Sequence, residues 1–343
     1  MSLPIKIPFA PMEALSVAEI PAGPEWQYEP KWDGFRCLAF RDGDSVELQS
    51  KAGQPLTRYF PELVTALREL KATTFVLDGE IVVPDGTAFS FDALLQRIHP
   101  ANSRVTRLAS ETPALFILFD ILVDAGGSSL EKDILDTRRK ALDQFAKTFL
   151  RSNKTIRLSP ATVKLPEAMT WFARVGDALD GIIAKRRDKP YASGTRNAMQ
   201  KIKNHRSADC VVGGFRYNEG KKVVGSLLLG LYDDAGLLNH VGFTSGLKAA
   251  EKADLTVKLE KLIALPGFTG DKPGGPSRWS TKRSTEWQPL KPTLVVEVRY
   301  DHFSGGRFRH GTTLLRWRPD KSPEQCTFDQ LKQMKANLQK LLD

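Results

Sequence analysis

The feature that most constrains this chain is a change of pattern at the short polar tract Lys203-Asn204-His205-Arg206-Ser207-Ala208-Asp209. Before it, strand-like and helix-like stretches alternate irregularly. Residues 35–49 hold two short strands around the turn Arg41-Asp42-Gly43-Asp44, and 61–71 place Leu63, Leu67 and Leu70 on one helical face. Residues 74–83 and 115–123 read as strands, 130–150 and 166–179 as amphipathic helices, and 181–185 as a short apolar strand. Behind the tract, short glycine-punctuated strands at 210–215, 226–232, 237–243 and 294–300 have the rhythm of a small antiparallel barrel. A helix near 249–265 interrupts them and a last helix over 328–342 follows. The tract itself is expected to be a linker. The pattern predicts an α+β fold in two domains, 1–205 and 206–343, and 343 residues are enough for both. No internal repeat or low-complexity segment complicates this division.

Apolar residues make up 41% and charged residues 26%, the profile of a globular chain in water. No stretch approaches the roughly 20 apolar residues of a bilayer span. The first residues lack the apolar core of a signal peptide, so the expectation is a cytoplasmic protein without a membrane partner, in a prokaryote, a nucleus being the alternative compartment. Cys37, Cys210 and Cys326 have neither the spacing of a zinc site nor the count of a disulfide framework, and are expected to be reduced and half-buried. The net charge of +10 attracts polyanions, phosphate backbones above all, although many basic proteins bind nothing in particular. Residues 267–289, rich in Gly, Pro, Ser, Thr, Lys and Arg, should form a long surface loop. Its Lys272, Arg278, Lys282 and Arg283 suit phosphate contacts or a solvated loop equally well.

The chemistry concentrates in Glu29-Pro30-Lys31-Trp32-Asp33-Gly34-Phe35-Arg36. Lys-x-Asp-Gly alone is common by chance, and a lone lysine is usually a solvated group. Here the lysine precedes a hydrophobic strand, with Asp33 and Arg36 beside it. Further motifs follow in order: Ser50-Lys51-Ala52-Gly53 with Thr57 and Phe60-Pro61-Glu62-Leu63, then Leu77-Asp78-Gly79-Glu80, then Phe119-Asp120. Asp180-Gly181-Ile182-Ile183-Ala184-Lys185-Arg186, Lys201-Ile202-Lys203 and Arg316-Trp317-Arg318-Pro319-Asp320-Lys321 complete the series.

Each motif is weak alone. Together, over nearly the whole chain, they resemble the covalent nucleotidyltransferase superfamily of ATP-dependent DNA ligases, RNA ligases and mRNA-capping enzymes. The run from Glu297 through Arg309-His310 to Lys321 resembles compact bacterial ligases and the ligase module of bacterial end-joining enzymes. The resemblance implies a nucleotidyltransferase (adenylation) domain with antiparallel sheets and flanking helices, then an OB-fold β-barrel domain with a C-terminal helix. It implies an ATP-dependent DNA ligase sealing nicks between a 5′-phosphate and a 3′-hydroxyl through a lysyl–AMP and then a DNA-adenylate, in DNA repair or recombination. Nicked duplex DNA is the expected partner, with a repair polymerase or end-binding protein as possible recruiter, and the protein is expected to be monomeric. An RNA ligase or capping-type enzyme on the same core is the alternative, and an inert nucleic-acid-binding module a more remote one. An NAD-dependent ligase, with its extra N-terminal domain, zinc-type cysteines and helix-hairpin-helix region, is not expected.

The residue types say what each position is able to do. Lys31 is the candidate nucleophile, and its amine must be neutral to attack the α-phosphorus, a state favoured by neighbouring cations and partial burial. Lys201 and Lys203, two apart in a strand, point to one face that suits an α-phosphate. Asp33 can orient the amine and later assist the 3′-hydroxyl. By resemblance, Glu29 recognises the adenine amino group, Phe119 stacks on the base, Arg36 and Glu80 contact sugar and phosphates, and Lys185 also belongs to the ATP site. Phe119 reads equally as a core residue, and the lysine pair as a solvated strand face. Magnesium, with manganese as a substitute, is implied by charge on phosphoryl oxygens, and Glu80 and Asp180 are the candidate ligands. Arg316, Arg318, Asp320 and Lys321 are expected to cover the β,γ-phosphates, with the polar tract as hinge. Lys51, with the four loop cations, is the candidate DNA contact. Three departures from the ligase pattern are visible. Asp180 replaces the usual Glu, as capping enzymes often have it. Met199-Gln200 stands where an aromatic is common. Lys51 stands where Arg is common, keeping the charge without the bidentate grip.

Overall fold

The computed structural model describes residues 2–174, 179–203, 206–274, 286–331 and 338–342. The chain divides into two compact units, Met1–Asn204 with Met334–Asp343, and His205–Gln333. The described residues of the polar tract are in strands, Lys203 ending one. A strand begins at Arg206 and pairs in antiparallel register from Arg206↔Tyr300 to Val211↔Val295, because alternating Ala208 and Cys210 are buried against its neighbours.

The first unit contains two sheets. The larger runs Ser45–Ser50, Phe35–Asp42, Thr74–Val82, Leu115–Val123, Ile156–Leu158, antiparallel except for the last pair. Period-two alternation sorts its side chains. Cys37, Ala39, Phe75, Leu77, Ile81, Phe116 and Leu118 join Leu63 and Leu67 of the helix Pro61–Arg68 and Leu142 and Phe145 of the helix Leu135–Phe149. Leu38, Phe40, Val76 and Leu122 face the other way and pack with Tyr191 and Met199. Arg36, Asp78 and Glu80 share the parity of that second face, with Arg36 paired opposite Glu80. The smaller sheet runs Leu15–Ser16, Met199–Lys203, Gly181–Arg186, Trp26–Pro30, again antiparallel except for its short first strand.

One irregularity matters for the site. The register steps from Asp78↔Asp120 to Gly79↔Leu118 and skips Phe119. Leu118 and Ile121 both belong to the helix-side core, so two residues between them, Phe119 and Asp120, turn to the opposite face. This is what a bulge does to a strand.

The main sheet of the second unit is antiparallel in the order Leu238–Thr244, Val224–Tyr232, Arg206–Tyr217, Val295–Tyr300, Thr313–Trp317, with Gln288–Pro289 beside the central strand, and Phe303–Ser304 and Arg307–Phe308 form a separate hairpin. The sheet curls until its two edges touch at a single bridge, Thr244↔Thr312, as in an OB-fold-like domain that is not fully closed. Its interior is Val211, Leu227, Leu229, Leu231, Phe268, Val296 and their neighbours. The helix expected over 249–265 is a turn of 3-10 helix, Ala249–Glu251, and an α-helix ending at Glu260. Beyond it Ile263 bridges Leu290, so the chain leaves the helix to pair with a strand.

Of the last expected helix, Phe328–Leu331 and Gln339–Leu341 are described as 3-10 turns. Leu338, Leu341 and Leu342 pack with Trp32, Val82, Ile117 and Leu179 in the first unit, whereas the sequence reading placed this tail in the second domain. All three cysteines are free and fully buried, not half-buried.

Candidate active site

A cavity of about 220 Å³ opens in the first unit, and Glu29, Lys31, Arg36, Lys51, Glu80, Phe119, Lys185 and Lys201 line it together with Glu13, Arg196 and Met199. Backbone geometry brings distant segments to Lys31. Its N–H donates to the Gly181 carbonyl at 2.9 Å, and the Asp180 N–H returns a bond to the Lys31 carbonyl at 3.1 Å. This pairing sets the Lys31 ammonium against the Asp180 carboxylate in an ion pair. Lys203 lies 3.7 Å from the other Asp180 oxygen. Two glycines make the approach possible. A Cβ on Gly181, at φ +133°, would sit 1.8 Å from the Ile202 carbonyl oxygen, and one on Gly34 would sit 2.1 Å from that of Ile81. The Gly34 N–H instead donates to Glu80 at 3.1 Å.

The electrostatics follow from this crowding. Burial raises Glu80 to about 7, with Asp33 adding to the shift while Lys31 and Arg36 oppose it. Burial lowers Lys201, and the charges of Lys31 and Lys203 lower it further. Lys201 is thus the lysine that its neighbours press toward neutrality. Lys31 is ion-paired, so its amine has to give up a proton before it can attack. Carboxylate oxygens of Asp33 and Asp180 lie within 4.8 Å of each other, which suits a hard cation. Asp33 thus joins Asp180 as a candidate ligand, and this group does not include Glu80.

At the other end of the cavity, Lys185 and Glu29 form a buried pair at 2.9 Å, each 2% exposed. Gln27 donates to Glu29 at 2.8 Å, and the Lys185 ammonium donates to the Phe119 carbonyl at 3.1 Å. Lys185 and Arg36 lie 4.7 Å and 5.0 Å from the Phe119 ring centroid. The bulge thus aims an aromatic ring into the cavity between two cations.

Beneath it runs a polar chain that the sequence reading missed. Arg36 is held by both oxygens of Asp78, at 2.8 and 2.6 Å, and the Tyr191 hydroxyl donates to Asp78 at 2.6 Å. Burial works against the Arg36 charge and Asp78 outweighs it, so the guanidinium is held above its usual range. Burial, with Asp78 adding, pushes Tyr191 well up. Arg138 packs over Tyr191 and makes a bidentate pair with Asp120. Asp78 was legible in principle, two residues before Glu80 on a strand. Tyr191, Glu13 and Arg196 lie in irregular segments with no periodic signal.

In the second unit the expected phosphate-covering residues are held by acids. Arg316 bonds Glu297 at 2.7 Å, Arg318 bonds both Asp209 and Asp320, and Lys321 bonds Asp209 at 2.7 Å. Lys272 is exposed, while Arg278, Lys282 and Arg283 lie outside the described residues. Among the described residues no helix is long and apolar enough to cross a membrane.

Lysine, carboxylates, cations and an aromatic ring around one cavity are what a nucleotide-binding enzyme presents to its ligand. Comparison with known proteins narrows it. Residues 11–203 match the ATP dependent DNA ligase domain and 220–321 the ATP dependent DNA ligase C terminal region. The chain is 45% identical to DNA ligase C1 of Mycolicibacterium smegmatis, covering 96% of each. It is 33% identical to the multifunctional non-homologous end joining DNA repair protein LigD of Mycobacterium tuberculosis, covering 92% of this chain and 39% of that one. A solved structure of mycobacterial DNA ligase D complexed with ATP and MES superposes with a TM-score of 0.50 at 29% identity, over 93% of this chain and 98% of that one. The chain belongs to the ATP-dependent DNA ligases. That assignment favours DNA joining over the capping-type alternative.

Proposed function

We propose that this ligase seals 5′-phosphate/3′-hydroxyl nicks in duplex DNA with Lys31 as nucleophile. The observation that carries the reading is the Lys31–Asp180 ion pair on the wall of a cavity lined by Phe119, Arg36, Glu80 and Lys201. Asp180 is placed to take a proton from the ammonium. The freed amine attacks the α-phosphorus of ATP, a P–N bond forms, and pyrophosphate leaves. A 5′-phosphate oxygen of the nick then attacks the same phosphorus and Lys31 is released. Last, the 3′-hydroxyl attacks the 5′-phosphorus, its proton passing toward Asp33, and AMP departs. Lys201 and Lys203 stabilise charge on the α-phosphate, Phe119 stacks on adenine, and the Glu29–Lys185 pair meets the base edge. Arg316, Arg318, Asp320 and Lys321 cover the β,γ-phosphates in the first step, after exchanging their present acidic partners. The short segment joining the two units serves as hinge, and the units are the adenylation and OB-fold domains.

Asp33 and Asp180 are the residues that would hold Mg2+, or Mn2+ in its place, and Glu80 is the further carboxylate expected from the sequence. That ion supplies charge neutralisation at the phosphoryl oxygens. Lys51, Lys272, Arg278, Lys282 and Arg283 contact the DNA backbone, and their neutralisation should flatten the salt dependence of nick binding. Likeness to LigD supports a role in end joining or a related repair pathway, with a polymerase or end-binding protein as recruiter and the protein acting as a monomer at the nucleoid.

Incubation with α-labelled ATP and magnesium, comparing wild type with Lys31→Ala, followed by a nicked-duplex chase, tests the reading. Label on wild type alone, discharged as the nick closes, is the expected result. Label discharged by nicked RNA and not by DNA would make it an RNA-joining enzyme. Label retained by Lys31→Ala would remove the nucleophile.

A further inference from the structure

The residues that flank the Lys31–Asp180 pair in sequence share one apolar cluster. Trp32 follows Lys31 and Leu179 precedes Asp180, and both are buried together with Val82 and Ile117. The Trp32 ring is fixed from two directions. Its indole N–H donates to the Ser159 hydroxyl at 2.9 Å, and it meets Phe89 edge-on at 5.9 Å between ring centroids. Phe89 belongs to a small hairpin in which Pro84 and Asp85 pair with Phe89 and Ala88. The remaining buried member of the cluster is Leu338, at 2% exposure, and Leu341 and Leu342 pack against it. The segment 338–342 is tied down at both ends. The Leu338 N–H donates to the carbonyl of Thr87, in the turn of that hairpin, at 2.9 Å, and the Arg157 guanidinium donates to the Leu342 carbonyl.

Leu338, Leu341 and Leu342 carry no charge and do not line the cavity, so they touch no reacting group. Burial of a leucine by itself speaks only of stability. What distinguishes this one is where it acts. Interiors are close-packed, so a side chain lost from the cluster is felt as a shift in the residues around it, here the two that flank the nucleophile and its ion-pair partner. Attack needs the reacting atoms about 3–3.5 Å apart and aligned, and a misplacement of about 1 Å costs about 100-fold in rate. Building on the reading of Lys31 as nucleophile, we propose that Leu338, with the segment through Leu342, is a positioning element that holds the Lys31–Asp180 pair aligned for attack on the α-phosphorus. The aromatic end of the cavity does not depend on it, because Phe119 is held by Arg36 and Lys185. Nucleotide binding should therefore survive a change at Leu338, while the rate of attack falls.

The test uses the full chain and follows the rate of lysine labelling from α-labelled ATP across ATP concentrations. Leu338→Ala should lower the maximal rate about tenfold while the half-saturating ATP concentration stays within about twofold, and Leu338→Met, which refills the volume, should restore the rate. Leu142→Ala is the control for stability alone. It removes the same atoms from a different core of the same unit, so it should destabilise to a similar degree and label at the wild-type rate. Leu338→Val, a smaller loss, should slow labelling about two- to threefold and carries the test if Leu338→Ala does not fold. Wild-type maximal rates in the Leu338 variants, a half-saturating concentration that rises in step with the loss of rate, or equal slowing in Leu142→Ala overturns the proposal. Failure of the Lys31 reading looks different, because wild type would then take up no label or Lys31→Ala would keep it.

Discussion

The two units bury opposite kinds of interior. Among the described residues, every buried charged side chain lies in the first: Glu29, Arg41, Asp78, Arg97, Asp120, Arg138, Asp180 and Lys185. The second buries hydroxyls and one histidine, His240, in a core of aliphatic and aromatic side chains, and keeps its charges near the surface. Burying an ion is costly unless it is paired. In the first unit most of these charges sit at or beside the cavity, as Glu29 with Lys185 and Asp180 with Lys31 do, while Arg41 and Arg97 are held away from it by backbone carbonyls and Glu62. In the second, Arg316, Arg318 and Lys321 are paired with Glu297, Asp209 and Asp320 near the surface.

The largest expected effect is on the first unit. Arg138→Met leaves Asp120 buried beside a hydrocarbon, and such unpaired charges cost about 3–5 kcal/mol. At present Arg138 and Lys185, against burial, hold Asp120 below its usual range. Urea unfolding should show the first unit weakened and the second unchanged. An effect under about 1 kcal/mol, or one shared by both units, would break the contrast.

Acid should separate the units next. Burial, with Arg307 and Arg216 adding, lowers His240 to about 3. The unfolded chain takes up that proton near pH 6.5 and the folded chain does not, so stability is present above pH 6.5 and lost below it. By pH 5 the second unit should have lost about 2 kcal/mol, and His240→Leu should remove the slope. Glu80 acts in the other direction. Its folded value of about 7 lies above the unfolded value, so its contribution is fully present below pH 4.5 and lost as pH rises through 7. Between pH 7 and 4.5 the first unit therefore gains while the second loses, and Glu80→Gln should cancel the gain. Melting curves that move together across this window would refute the opposite signs.

Smaller effects sharpen function. Phe119→Leu should raise the KM for ATP about three- to tenfold, the worth of an aromatic stack, with little change in stability. Arg316→Gln should change folding by less than about 1 kcal/mol, since its pair with Glu297 is exposed, while slowing lysine labelling. A large loss of stability there would mean that these cations belong to the scaffold.

Sequence reading went furthest where chemistry is local. Lys31, Asp33, Gly34 and Arg36 sit in one run, and period-two spacing put Lys201 and Lys203 on one face. Lys31, Arg36 and Lys201 line the cavity, Asp33 and Lys203 lie near Asp180, and Gly34 bonds Glu80. The division into an α+β part and a strand-rich part was equally visible. The polar tract misled, because Arg206 to Asp209 look like a linker by composition and are a strand by pairing. The tail misled because Leu338 finds Trp32 across some 300 positions, beyond any periodic signal. The links from Arg36 through Asp78 and Tyr191 depend on a strand register that no single segment encodes.

The skipped residue at Phe119 has one more consequence. An extra residue in a strand is an insertion, so substitutions at this position do not undo it. Deleting Phe119 would remove the register step between Asp78 and Gly79, leaving the second step at Leu122, and would take away both the ring beside Arg36 and Lys185 and the carbonyl to which Lys185 donates. In evolutionary terms, this aromatic wall of the cavity is separated from regular pairing at Asp78 and Gly79 by a single codon gained or lost, and not by a series of point changes.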